Sequence, residues 1–144
     1  LPHRLELVTE RDGVAWYNDS KATTPLSGIV ALEAFDRPEI VIAGGYDKRL
    51  PFDDFGRKIA EKAKAAILIG QTAEQIARAI EAGSNESART HVERAESLEE
   101  AVRTADRLAC PGDVVLLSPA CASYDMFENY QQRGNRFAEL VRGL

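Results

Sequence analysis

At 144 residues, 44% of them apolar and 28% charged, the chain has the size and composition of one folded domain and is far from the profile of a disordered segment. A net charge of −5 offers no general attraction to nucleic acid, whose binders present a basic face. No apolar run nears the roughly 20 residues that span a bilayer, and no signal-peptide pattern opens the chain, so a cytoplasmic protein without membrane or nucleic-acid partners is expected.

Residues 5–10 and Val14–Asn18 are partly alternating runs on either side of Arg11-Asp12-Gly13, which predicts an antiparallel hairpin. Asn18-Asp19-Ser20-Lys21-Ala22-Thr23 follows, and a helix is expected to begin near Thr23-Thr24-Pro25, with Asp19 or Thr23 available as its cap. Continuous apolar runs at Glu39–Ala43, 66–69 and Val114–Leu117, with a weaker one at 90–92, suit strands buried on both faces. Helical spacing links Phe55, Ile59 and Ala63, then Ile76 with Ala79 and Ile80, then Leu98, Ala101, Val102 and Ala105. Phe137, Leu140, Val141 and Leu144 mark a closing helix. Thr72-x-x-Gln75 and Ser97-x-x-Glu100 fit capping boxes, and Gly83-Ser84-Asn85-Glu86-Ser87 reads as a loose surface loop. Alternation of strand and helix predicts an α/β, Rossmann-like three-layer domain, with a mainly parallel sheet and the antiparallel hairpin at its edge.

In such a sheet, ligands bind beyond the carboxyl ends of the strands. Three segments fall there: Asn18-Asp19-Ser20-Lys21-Ala22-Thr23, Gly44-Gly45-Tyr46-Asp47-Lys48 and Leu117-Ser118-Pro119-Ala120-Cys121-Ala122-Ser123. Lys21 is the most informative member, because a cation at a helix N-terminus opposes the dipole unless an anion joins it. Each segment also has a plainer explanation: a helix cap for the hydroxyls, a strand-end turn for the glycines, a solvated charge for Lys48 and Arg4. Cys110 and Cys121 lack metal-ligand spacing, and His3 and His91 are remote from them, so both thiols are read as structural and no metal site is expected. Arg133-Gly134 is read as structural, with Gly134 available for a positive φ.

Together with Asp125-Met126-Phe127-Glu128-Asn129-Tyr130-Gln131-Gln132-Arg133-Gly134, the three segments occur in the order found in the C-terminal domain of the Mur ligases, which the chain resembles over residues 1–144. The run Asp19-Ser20-Lys21-Ala22-Thr23 is similar to that of the members that add D-glutamate. The resemblance implies a domain that binds D-glutamate and closes over ATP, with Mg2+ used by the full enzyme and no cofactor held tightly here. UDP-N-acetylmuramoyl-L-alanine and the enzyme's own central domain are the other implied partners. It assigns D-glutamate to Thr23, Lys48, Ser123 and Tyr130, and the nucleotide to Arg4, Asp19 and Lys21, with Lys21 the catalytic contact to phosphate. The family commonly has Asn where Thr24 stands and Phe where Tyr130 stands.

The UDP-binding and ATPase domains, including a P-loop, have no counterpart in these residues, so this chain alone is expected to bind without catalysing. Met126 is the one methionine, and a chain opening on Leu1 is expected to be a processed or excised piece. A sibling ligase, such as folylpolyglutamate synthase or another Mur ligase, and a non-catalytic Rossmann-like interaction module are the alternatives.

Overall fold

The computed structural model describes residues 1–85 and 89–144. The chain runs β1 (Glu6–Arg11), β2 (Val14–Asn18), α1 (Pro25–Glu33), β3 (Glu39–Ala43), α2 (Asp53–Lys62), β4 (Ala63–Leu68), α3 (Ala73–Gly83), β5 (His91–Arg94), α4 (Leu98–Leu108), β6 (Val114–Leu117) and α5 (Tyr130–Arg142). The six strands form one sheet in the order β1-β2-β6-β3-β4-β5. Only the β1-β2 pair is antiparallel, so the expected architecture, hairpin at the edge included, is the one observed. The hairpin closes through Asp12 (φ 52°) and Gly13 (φ 77°), the left-handed pair that a two-residue turn between right-twisted strands requires.

Side chains alternate across the sheet and make two cores. Val41, Ala43, Leu68, Val114 and Leu116 face Leu32 of α1, Phe55 and Ile59 of α2, and Ile76 and Ile80 of α3. Ile40, Ile42, Ile67, Val115 and Leu117 face Leu98 and Val102 of α4 and Phe137 and Val141 of α5. Trp16, the one tryptophan, is fully buried on this second side at 6.5 Å from the Phe137 ring. At Gly56 a Cβ would run into Ala79 of α3, so the absent side chain is what lets α2 and α3 approach.

Several local expectations shift. Ala63 is the first residue of β4 and not the third turn of a helix, because α2 ends at Lys62 and the chain passes directly from one element to the next. β4 therefore starts three residues earlier than its most apolar stretch, and the weak run near Thr90 becomes β5. Ser97 caps α4 as expected by accepting from the Glu100 N–H, but the Glu100 carboxylate returns to the N–H of Glu96 and not to Ser97. α1 is capped by Thr24, not by Asp19 or Thr23. Gly134 lies within α5 with no positive φ; a Cβ there would collide with the His3 ring. Of the expected loose loop, Glu86 and Ser87 lie outside the described residues, while Ser84 donates its hydroxyl to Ile80 O at 2.7 Å. Among the described residues no helix is long and apolar enough to cross a membrane.

At the amino edge of the sheet, Glu39 is fully buried, and neither carboxylate oxygen has a hydrogen-bond partner among the described residues. Burial pushes its pKa up from 4.5 to about 8, opposed only by the Lys62 charge. Between these two values the unfolded chain has released a proton that the folded chain keeps, so stability should fall as pH rises through this window and level off above it. Replacing Glu39→Gln should flatten that slope and make the variant the more stable protein at pH 8, measured by urea unfolding followed through Trp16 fluorescence. Equal slopes in the two proteins would show that Glu39 is not the group responsible.

Candidate functional site at the carboxyl edge of the sheet

β2, β6, β3, β4 and β5 all point their carboxyl ends the same way, and the loops leaving them are tied to one another by backbone hydrogen bonds that extend the ladder. Asp19 N–H donates to Leu117 O (2.8 Å), Ser118 N–H to Ile42 O (3.2 Å), Gly44 N–H to Pro119 O (2.9 Å) and Tyr46 N–H to Ala122 O (2.8 Å). This last bond joins the loop that carries Lys48 to the loop that carries Ser123. The Tyr46 and Tyr124 rings meet edge-on above it at 5.8 Å. Both glycines are needed: Gly44 and Gly45 have φ of 111° and 155°, and a Cβ on Gly45 would lie 2.6 Å from Ala122 O.

Asp19 is 5% exposed and holds three segments together. Its Oδ1 accepts from the Leu5 N–H (3.1 Å) and its Oδ2 from the Ser118 hydroxyl (2.8 Å). Burial raises its pKa, and the Ser118 bond, the Leu5 bond and the Arg4 charge work against that rise. Asn18 acts similarly, accepting from the Ser20 N–H and donating to Gly134 O of α5. Arg4, Asp19 and Lys21 line one cavity of about 240 Å³, whose other wall is the apolar face of α1 at Leu26 and Val30. Lys21 is exposed, with its N–H fixed on His3 O at 2.9 Å.

Thr23 is half-buried just before the cap of α1, so its hydroxyl is spared the capping duty that Thr24 performs. Lys48 is exposed beyond Gly45, and neither it nor Lys21 forms an ion pair with another described residue. Ser123 is 2% exposed and its carbonyl accepts from Met126 and Phe127, shaping the loop that follows. That loop is longer than a strand-to-helix junction: α5 starts only at Tyr130, capped by Asn129, so Ser123 is no helix cap. Tyr130 is half-buried with its ring edge-on to His3 at 5.9 Å.

At this edge Thr72 departs from the expected capping box, while Arg133 has the structural role expected of it. The Thr72 hydroxyl makes no cap bond; it accepts from the Gly45 N–H at 3.1 Å and meets Cys121 Sγ at 3.3 Å, and Gln75 donates to Asp47. Arg133, 1% exposed, reaches across to the first loop. Its Nε donates to Ser20 Oγ (2.9 Å) and its Nη2 to Ser20 O (2.8 Å), while Ser20 Oγ donates to Tyr130 O (2.7 Å). The signal for Arg133 lay in its spacing, since Phe137 and Val141 at i+4 and i+8 place it on the buried stripe of α5. Cys121 is a buried thiol whose pKa burial pushes up to about 11, which suits the structural role expected of it.

Comparison with known proteins places these features in a family. The family described as "Mur ligase, glutamate ligase domain" matches residues 3–121. The chain is 49% identical to a UDP-N-acetylmuramoylalanine--D-glutamate ligase of Acetivibrio thermocellus, over all of this chain and 32% of that protein. It is 47% identical to a protein of the same name from Symbiobacterium thermophilum, over all of this chain and 31% of that one. It thus spans about a third of the length of these curated relatives. Among solved structures, a ligase domain from Haemophilus ducreyi superposes with a TM-score of 0.64 at 14% identity, covering 97% of this chain and 98% of that one. The MurF ligase of Thermotoga maritima with ADP gives 0.59 at 18% identity, over 99% of this chain and 31% of that one. At such identities these two likenesses establish the fold alone.

The geometry makes Thr72 a tie between loops and not a helix cap. Thr72→Val keeps the shape and leaves the buried Gly45 N–H without an acceptor, which should destabilise the fold by about 1–3 kcal/mol in urea titrations. A loss under ~0.5 kcal/mol, the scatter of an ordinary surface substitution, would contradict the tie.

Proposed function

The chain belongs to the Mur ligase family, and from that membership we propose that it is the C-terminal, amino-acid-binding domain of a ligase that joins D-glutamate to UDP-N-acetylmuramoyl-L-alanine in peptidoglycan precursor synthesis, in the cytoplasm. UDP-binding and ATPase domains would complete the enzyme. The observation that carries the reading is the convergence of the loops after β2, β3 and β6 on one edge, each bringing a cation or hydroxyl, with both lysines left unpaired by the rest of the fold. The names of the relatives at 47–49% identity favour D-glutamate over the amino acids used by sibling ligases. Lys21, Lys48 and the hydroxyl segments occurring together favour a ligand-binding domain over a purely structural module.

In the full enzyme, the γ-phosphoryl group of ATP passes to the carboxylate of UDP-N-acetylmuramoyl-L-alanine. The amine of D-glutamate then attacks the acyl-phosphate carbon and orthophosphate leaves. This domain's share is positioning and charge. Lys21 neutralises charge on the transferring phosphoryl group, and its neighbour Asp19 holds the loop in place through Leu5 and Ser118. Arg4 adds a second cation to the same cavity, and the apolar wall at Leu26 and Val30 suits the nucleoside. Lys48 pairs with one carboxylate of D-glutamate, Thr23 and Ser123 donate hydroxyls to its carboxylates, and Tyr130 flanks the amino acid. Among the described residues no three His, Cys, Asp or Glu side chains gather as a metal site, so Mg2+ would arrive with the nucleotide and no step is assigned to it through this domain.

Two substitutions in the full enzyme divide the labour. Lys48→Ala should raise the KM for D-glutamate by about 30- to 150-fold, the worth of one charged hydrogen bond, and leave the KM for ATP nearly unchanged. Lys21→Ala should act chiefly on kcat, because phosphate charge is redistributed as the acyl-phosphate forms. Steady-state kinetics on both folded variants test the split, and an unchanged D-glutamate KM in Lys48→Ala would remove Lys48 from the amino-acid pocket.

A further inference from the structure

Arg133 is a buried cation with no carboxylate in contact. Nε and Nη2 are satisfied by Ser20, but Nη1 is buried and has no hydrogen-bond partner among the described residues. Burial pulls its pKa down to about 10, which still leaves it charged at neutral pH, and Cys121 and Asp125 oppose that fall through space. Asp125 is engaged on one oxygen, Oδ2 accepting from the Gln71 N–H at 3.1 Å, while its Oδ1 is buried without a hydrogen-bond partner among the described residues. For structure alone this is an expensive choice. An apolar residue would continue the stripe made by Phe137 and Val141 without the cost of desolvating a guanidinium.

The position of the charge gives it a use. A Cβ on Gly45 would lie 3.5 Å from Nη1, so the unsatisfied N–H sits directly beneath the loop that leads to Lys48. The same Cβ would lie 3.1 Å from Cys121 Cβ, so the loop that leads to Ser123 borders the same spot. At its other end the guanidinium fixes Ser20, whose hydroxyl holds the carbonyl of Tyr130. Every loop assigned to the amino acid above thus rests on, or borders, one buried positive charge whose Nη1 no described residue hydrogen-bonds. Such a charge, fixed in a poorly solvated place, acts on an anionic ligand more strongly than an exposed lysine would.

We propose that Arg133 is a positioning residue for the amino-acid subsite: it holds the Ser20 loop in place and supplies a standing positive potential that favours an amino acid with a second carboxylate. This rests on the D-glutamate reading above. A dicarboxylate substrate adds negative charge beside Nη1, so the loss of Arg133 weakens binding of the amino acid and spares the nucleotide.

The test is steady-state kinetics of the full ligase carrying Arg133→Gln, Arg133→Lys or Ser20→Ala, with thermal melting of each. Arg133→Gln should raise the KM for D-glutamate about tenfold while the KM for ATP stays within about twofold, and Arg133→Lys, which keeps the charge, should recover most of that loss. Ser20→Ala, which frees the guanidinium from its anchor, should raise the D-glutamate KM by about threefold, and it decides the matter if Arg133→Gln fails to fold. A purely structural role would lower the folded fraction, and with it Vmax, without moving either KM. An unchanged D-glutamate KM in the folded variants, or an equal rise in both KM values, overturns the proposal. A wild-type enzyme that releases no ADP in response to D-glutamate overturns the underlying reading, and this one with it.

Discussion

The hydrogen-bonded seat of β6 between β2 and β3 is the constraint from which the rest of the arrangement follows. β6 pairs with Ala15–Asn18 on one side and with residues 39–42 on the other, so the last strand of the chain fills a gap left between the first two parallel ones. That placement brings Ser118 to Asp19, 99 residues away in sequence, and Ala122 to Tyr46. It also sets the loops after β2 and β3 on either side of the loop after β6. No local preference in the sequence would put these groups together; the ladder does it, and the side chains follow.

Once the strands have ended, their backbone groups must find partners elsewhere, and the polar residues of the carboxyl edge largely answer that need. Asn18, Asp19, Thr72 and Ser118 are buried and spend their hydrogen bonds on neighbouring loops. Lys21 and Lys48 stay exposed with no such duty. The edge thus separates into a rigid underlayer, satisfied within the protein, and a small set of charged tips standing on it. Ala120 shows what this rigidity requires: it holds a left-handed φ of 59° while its methyl group packs toward Gly28 of α1, so the β6 loop and the first helix are fitted to each other.

The architecture was legible because its signals are periodic. Buried strands read as unbroken apolar runs, helices as stripes, and the hairpin as Asp-Gly between alternating residues, and each element is present in the expected order, with shifted bounds at α2 and β4. The misreadings share a cause. Ala63 and Thr72 were taken at the value of their local pattern, whereas the first was claimed by a strand pairing with Glu39 and the second by the N–H of Gly45, both distant in sequence. Arg133 is structural as expected, and only its register with Phe137 and Val141 announces its burial. Lys21 stands out in the sequence because a cation at a helix N-terminus opposes the dipole, whereas Lys48 is distinguished only by the family resemblance.

Among the described strands the outer two are β1 and β5, each paired with one neighbouring strand. β1 carries Glu6, Glu10 and Arg11 and breaks its register between Leu7 and Thr9, while β5 is four residues long and bears His91, Glu93 and Arg94. Charge, irregularity and shortness all deny a foreign strand a flat template to extend. Each edge thus carries its own deterrent to pairing with a second copy of the sheet.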